Sequence, residues 1–280
     1  MNKQMILDGF QNVVASGVAV NDMNKFIGTV IEKITLTLGG TTFTKSMITS
    51  LVLRANGKII FETTGSRLDS ANLYNGASSD VTILKLDFMD RKAVTVNARQ
   101  AGAIDVSAAS GITQLRMEVT IAGATAPTLT GFVDVSPPSA DPAEQAIRPL
   151  MVRKHIATYV VGAAGQFALP VPHLDPAGGG SNYRRIFLYS ANCTAIKTVR
   201  DGNTEHEVTK LQNEAAQKDN FKVPQTNLVV FDPVQTGTLQ GNTWDTRKST
   251  GVGSAAFYAT FSAGETITIE TEELLPLNAY

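Results

Sequence analysis

Apolar and polar positions alternate along much of the chain, and the alternation predicts strands. Residues 31–38 read IEKITLTL, with Ile34, Leu36 and Leu38 separated by Thr35 and Thr37. A period of two puts the apolar side chains on one face, and Gly39 with Gly40 ends the strand. Residues 114–121 (QLRMEVTI) repeat the pattern, with Leu115, Met117, Val119 and Ile121 on one face and Arg116, Glu118 and Thr120 on the other. One face of that strand should meet a sandwich core. The apolar runs 51–54 and 59–62 flank Ala55-Asn56-Gly57-Lys58. Asn and Gly both accept positive φ, so this is a hairpin. Residues 64–75 (TGSRLDSANLYN) predict a short helix covering a sheet edge, with Leu68 and Leu73 inward, and residues 81–88 and 93–97 predict further strands.

The segment 135–149 (VSPPSADPAEQAIRP) contains four prolines, which remove backbone donors and fix φ. It divides the chain into an N-terminal domain at 1–135, a linker at 136–149 and a C-terminal domain at 150–280. The second piece repeats the organisation of the first. A strand at 183–189 (YRRIFLY) follows the loop 175–180, then come a strand at 195–200, the turn Asp201-Gly202-Asn203, a strand at 205–208, a short helix at 210–219 and a strand from 227. Gly57 and Gly202 are 145 residues apart, as are Glu62 and Glu207, while Phe88 and Phe231 are 143 apart. The order of elements therefore occurs twice, an internal duplication. Residues 257–261 and 266–271 form a last strand pair, in the place that 114–121 holds in the first piece. The tail 274–280 is too short to fold alone and is suited to an arm against a neighbouring unit.

The 280 residues suit one large domain or two of about 140. Charged residues are 18% of the chain, below the roughly 25% usual in soluble domains, so neutral polar groups cover much of the surface. With 31 Thr and 23 Gly, the composition favours β-branched strands and tight turns over helical bundles or coiled coils. The formal net charge is -1, which excludes a global basic field for nucleic acid and removes a barrier to self-association. Cys193 is the only cysteine, so no intrachain disulfide can form, and it reads as a buried strand residue rather than a nucleophile. The first ten residues lack a signal-peptide pattern, and no apolar run is long enough to span a membrane. Folding in a reducing cytoplasm is the expectation.

Candidate chemistry is sparse. His155, His173 and His206 form no HExxH motif or compact ligand spacing. His155 reads as a surface or strand residue and His173 as a loop residue. His206, between Glu205 and Glu207 in an exposed hairpin, is expected to favour its protonated form. The glycine-rich stretches 162–165 and 178–180 precede no GK[ST], and no serine stands in GxSxG. Asp80, Asp87 and Asp90 match no calcium loop and read as turn chemistry. The pairs Arg91-Lys92, Arg153-Lys154, Arg184-Arg185 and Arg247-Lys248 read as solvated faces. An enzyme would require two or more of the histidines, Cys193 and an aspartate to converge on one polar pocket.

Within this β pattern, residues 34–38, the 51–62 hairpin and 66–75, together with YRRIFLY, AIKTVRDGNTEHEV, LQNEAAQKDN, LRMEVTIAGATAP (115–127) and LMVRKH (150–155), resemble the major capsid proteins of PM2-like tailless icosahedral phages. These belong to the double jelly-roll lineage of membrane-containing viruses. The resemblance spans nearly the whole chain; the 232–252 stretch with Trp244 and the proline-rich linker differ from it. It implies an all-β fold of two eight-stranded jelly rolls side by side, with short helices. It implies a non-enzymatic major capsid protein whose pseudo-hexagonal homotrimers tile a virion shell around an internal membrane, after assembly in the host cytoplasm. Implied partners are neighbouring capsomers, penton or vertex proteins, and internal membrane proteins or lipid headgroups, with no specific nucleic acid. Lys3, Lys25, Arg153 and Lys154 are the basic residues expected to meet headgroups. No cofactor is implied, although structural calcium at subunit contacts is compatible with it. Glu270, Glu272 and Glu273 could serve such an ion, but read more simply as a solvated strand end. The alternative function is a receptor- or glycan-binding spike of two β-sandwiches, with Trp244, Tyr258, Phe257 and Tyr74 as its aromatic contacts.

Overall fold

The computed structural model describes residues 3–78, 80–90, 92–94, 99–138, 150–171, 180–239 and 242–276. Among these, 3–73, 77–153 and 275–276 cluster as one unit and 74–76 with 154–274 as a second. The expected linker from 139 to 149, the strand residues 95–97, His173, Arg91 and the tail beyond 276 lie outside the described residues.

The first unit runs β1 (Lys3–Ile6), β2 (Gly17–Asp22), β3 (Val30–Gly39), β4 (Ile48–Ala55), β5 (Lys58–Thr63), α1 (Gly65–Tyr74), β6 (Ile83–Asp87), β7 (Ile104–Asp105), β8 (Leu115–Ile121) and β9 (Thr128–Ser136). The second series runs β10 (Leu150–Val161), β11 (Gly165–Leu169), β12 (Asn182–Tyr189), β13 (Cys193–Arg200), β14 (Asn203–Thr209), α2 (Lys210–Asp219), β15 (Leu228–Phe231), β16 (Trp244–Asp245), β17 (Ala255–Phe261) and β18 (Glu265–Pro276).

The first unit pairs its strands in the orders β1-β9-β3-β6 and β2-β8-β4-β5, with β7 against β3. The second uses β10-β18-β12-β15 and β11-β17-β13-β14, with β16 against β12. Strand for strand the two orders correspond, so the duplication read from the sequence is one of sheet topology. β4, β5, α1 and β6 begin 145 positions before β13, β14, α2 and β15, whereas β8 begins 140 before β17. Five residues are thus lost between the sixth and eighth strands of the second copy. At the 145 offset Asp87 corresponds to Asp232, so these acids, rather than Phe88 and Phe231, are the matched pair.

Alternation places the core as expected. Leu115, Met117, Val119 and Ile121 are buried with the intervening residues half-exposed, and their register sets Leu53 opposite Met117 and Leu51 opposite Val119. In the second unit a single apolar cluster joins Ile186, Leu188, Val229 and Ile269 of one sheet to Ile196, Phe257, Ala259 and Phe261 of the other. That is two sheets packed face to face.

Both hairpins turn on a pair of left-handed residues, Asn56 (φ 49) with Gly57 (φ 81) and Asp201 (φ 50) with Gly202 (φ 78). The first residue of each pair also ties down a distant loop. Asn56 Oδ1 accepts from Thr113 N at 2.9 Å and Gln114 N at 3.2 Å, while Asp201 Oδ1 accepts from Gly253 N and Ser254 N at 2.8 Å. Asx side chains tolerate this backbone region and supply the acceptor, so one residue type does both tasks.

The helices differ. α1 buries Leu68 and Ala71, while Leu73, expected inward, is only half-buried; Tyr74, the last helical residue, is buried and clusters with the second unit. α2 opens with a capping box between Thr209 and Gln212. Its buried residues are Asn213 and Gln217, whose amides donate to Val230 O at 2.8 and 2.6 Å. α2 therefore shields the edge strand β15 through hydrogen bonds. Residues 93–94 are not strand, and the strand expected at 81–88 is confined to Ile83–Asp87.

Apart from the glycine and its two chain neighbours, no heavy atom lies within 4 Å of a Cβ placed on Gly57 or Gly202, so valine there would suffer chiefly the left-handed strain of a β-branched residue. Gly57→Val and Gly202→Val should each lose about 1 kcal/mol or more. Lys58→Ala should stay within about 0.5 kcal/mol of the parent. Thermal midpoints of the three variants test this, and a Gly57→Val midpoint equal to the parent's would contradict the turn geometry.

Candidate functional site

The sequence NYRRIFLY of β12 is buried along almost its whole length, including two arginines. Ile186 and Leu188 enter the apolar core, so alternation sends Arg185, Phe187 and Tyr189 to the opposite face. The register against β18 shifts between Tyr183 and Arg185, an irregularity that lets Arg184 and Arg185 reach the same carboxylate. Arg185 Nη1 lies 3.3 Å and Arg184 Nε 3.8 Å from Glu272 Oε2. Arg185 Nε also meets Asp232 Oδ2 at 3.0 Å, with the two side chains 1% and 0% exposed. The same oxygen accepts from Tyr74 Oη at 3.0 Å and lies 3.8 Å from Lys222 Nζ. Alongside, Lys154 Nζ pairs with Glu270 Oε2 at 2.9 Å and sits 5.0 Å above the Phe187 ring.

Each carboxylate of this layer stands within 4 Å of at least one cation. Burial opposes ionisation of Glu272, yet Arg184, Arg185 and Lys154 outweigh it and hold the carboxyl below its ordinary range. Burial, reinforced by the Asp232 charge, raises Tyr74 well above the usual phenol value, which keeps it protonated as a donor. On the core side of β18, Glu273 accepts from Ser181 Oγ and from Thr271 Oγ1. Glu270 and Glu273 are thus fully buried and the Glu272 side chain is 13% exposed, which corrects the expectation of a solvated strand end. The expectation of solvated faces fails for Arg184-Arg185 and for Lys154, which is 1% exposed and cannot meet lipid headgroups. In each case register, which a basic dipeptide does not reveal, sets a carboxylate opposite the cation. Arg153 is half-buried with Nη2 3.4 Å from Ile59 O, and Lys25 Nζ is held at 2.6 Å by Asp8. Lys3 is exposed.

A polar hollow of about 330 Å³ opens in the second unit, lined by Thr198, His206, Asn213, Phe231, Asp232 and Trp244 among others. Register sets Thr198 directly opposite His206, and His206 packs on Phe231 at 5.4 Å between centroids. Burial lowers the His206 pKa, the reverse of the expected protonation. The flanking glutamates are engaged elsewhere, Glu205 with Arg200 and Trp244 Nε1 and Glu207 with Lys197. Thr198 Oγ1, His206 Nε2 and Asp232 Oδ1 are buried without a hydrogen-bond partner among the described residues. His206 and Asp232 converge here, but no thiol joins them. Cys193 is buried at the start of β13, its thiol pushed up to about 11 by burial, and His155 lies in β10. Among the described residues the hollow has no activated nucleophile, and Asp232 is committed to Arg185.

Asp80, Asp87 and Asp90 each accept from the backbone N–H two residues on, as turn chemistry requires. Among the described residues no group of three or more His, Cys, Asp or Glu side chains is arranged to hold a metal. No helix among them is long and apolar enough to cross a membrane. Trp244, Phe257 and Tyr74 are buried, and the Trp244 and Tyr183 rings lie 5.5 Å apart between centroids, so three of the four aromatics expected to serve a binding surface belong to the interior, while Tyr258 is half-buried.

Asp232→Asn should destabilise the second unit by about 3–5 kcal/mol, because Arg185 would be left buried without its full counter-charge. Denaturant unfolding measures it. For His206 the folded pKa lies below the unfolded value near 6.5. The unfolded chain therefore binds the proton first as pH falls, and stability that is constant above about 6.5 declines below it. His206→Asn should remove this part of the acid loss, so the parent's thermal midpoint should fall more between pH 7.5 and 5.5 than the variant's.

No curated protein matches the chain in sequence. Two family profiles do: viral coat protein P2 N-terminal domain at residues 4–136 and viral coat protein P2 C-terminal domain at 152–277. The structure is similar to the major capsid protein P2 of bacteriophage PM2, with a TM-score of 0.83 and 17% identity over 99% of this chain and 98% of that one. It is similar to a chain from Sulfolobus turreted icosahedral virus at a TM-score of 0.68, with 9% identity over 98% and 91%. The PBCV-1 virus capsid gives a TM-score of 0.62 with 9% identity over 98% and 93%. At such identities the neighbours establish the fold, an all-β double jelly roll, and the family profiles, which between them span both units, establish the kinship. The chain belongs to the P2 family of viral coat proteins, structural proteins of the virion capsid.

Proposed function

We propose that the chain is the major capsid subunit of a virion whose shell is tiled by its homotrimers, with an internal membrane beneath. The observation that carries this reading is the repetition of one strand order in both units. Two similar blocks per chain give a threefold assembly six similar blocks, so a trimer can occupy a sixfold-like position in an icosahedral lattice. The near-zero net charge leaves little long-range repulsion between copies. Two jelly-roll domains, 1–135 and 150–280 with 136–149 between them, are the blocks in this reading.

Neighbouring capsomers are the main partners, with vertex proteins at the fivefold positions. Contact with the membrane falls to exposed Lys3 and to Lys25 and Arg153, each worth at most about 1 kcal/mol toward anionic headgroups. Assembly takes place in the host cytoplasm, consistent with a chain that has a single buried cysteine.

Sedimentation velocity of the purified chain should show a trimer or larger assemblies whose share rises with concentration. A species of monomer mass at every concentration would defeat the proposal.

A further inference from the structure

The duplicated helices offer an internal comparison, since α1 and α2 begin and end 145 positions apart. In α1 the apolar Leu68 faces in and Ser66 faces solvent. In α2 the corresponding positions are exchanged: Asn213 is buried at 5% exposure, and Leu211 is 77% exposed. A helix that hides amides and displays leucine has the reverse of ordinary amphipathic order.

The helix ends show the same inversion. After α1, Gly76 takes φ 71 and Ala77 N bonds to Asn72 O at 3.0 Å. After α2, Phe221 takes φ 58, its N–H donates to Lys218 O at 3.0 Å, and Lys222 N donates to Gln217 O at 2.9 Å. This is a Schellman cap, whose left-handed position normally belongs to glycine. The second copy instead places a phenylalanine there, strained in its backbone and 81% exposed. Lys222, the next residue, is buried beside Asp232, so the aromatic ring is projected from a fixed base. Val223, two residues on, is 49% exposed.

We infer that the outer side of α2 with Phe221 is a contact that seats against a second copy of this chain. The inference rests on the reading that the chain assembles into homotrimers and a shell. Local strain and apolar exposure are disfavoured in an isolated chain, and burial against a partner removes the cost of the second. Charge selects the partner. Lys210 pairs with Glu214, and exposed Lys218 stands next to exposed Asp219, so the patch is neutral. Nucleic acid or an anionic membrane calls for a basic cluster, whereas a chain of net charge -1 meets this patch without repulsion.

The double variant Leu211→Ser, Phe221→Gly restores the residue types of the first copy, and sedimentation of parent and variant across concentration tests the contact. The variant should associate at least tenfold more weakly, while its thermal midpoint, taken where both are dissociated, should equal or exceed the parent's because glycine relieves the left-handed strain. Equal association of parent and variant overturns this inference alone. A lowered midpoint overturns it too, since the side chains would then serve the fold of their own chain. Binding of parent, but not variant, to phosphatidylcholine–phosphatidylglycerol vesicles with unchanged self-association would give the patch to lipid and also overturn it. A parent that is monomeric at every concentration overturns the oligomeric reading and this contact together.

Discussion

Arg185 can lie inside the second unit only because strand register sets Asp232 and Glu272 against it. The sheet β10-β18-β12-β15 is buried on both faces along β12, one face dry and apolar, the other ionic. An unpaired guanidinium there would be prohibitive, and a paired one is tolerated when counter-charges and hydrogen bonds meet it closely. Tyr74 donates to Asp232, Arg184 and Lys222 each bring a positive charge to 3.8 Å from a carboxylate, and Lys154 with Glu270 extends the layer. The result favours one register over its neighbours, since a one-residue slip would drive the arginines into the apolar core and Ile186 and Leu188 out of it. Such specificity suits a protein whose work is to present the same surfaces in every copy of a lattice.

Duplication supplied the two units with one topology and then let their details separate. The Asx-Gly turns and the loops they capture are kept in both copies, because each turn fixes a hairpin and a distant backbone at once. The helices diverged: α1 is a conventional amphipathic cover, while α2 grips the edge strand through Asn213 and Gln217 and turns its apolar residues outward. In the proposed trimer, six blocks would then be alike in outline and unlike in contacts. A polar hollow beside β15 belongs to the same copy, where burial disfavours the charged form of His206 against Phe231.

Much of the scaffold was legible in the sequence, because its signals are local. Period-two alternation at 31–38 and 114–121, positive-φ residues at 56–57 and 201–202, and the repeat at a spacing of 145 each depend on neighbours a few residues away, and together they gave the strands, the hairpins and the duplication. The resemblance to capsid proteins rested on the order of those pieces, and the family profiles agree with it. Arg184-Arg185, Lys154 and the glutamates at 270, 272 and 273 were misread as solvated, and His206 as favouring its protonated form, because their surroundings come from strands distant in sequence: Lys154 meets Glu270, Arg185 meets Asp232, and His206 packs on Phe231. Sequence determined which faces of which strands are apolar and where the chain turns, since backbone sterics and side-chain alternation act within a few residues. Tertiary structure alone decided which charges are buried together and which hydrophobic residues are left outside, since pairing across strands and packing between sheets fix the dielectric and the partners of every side chain.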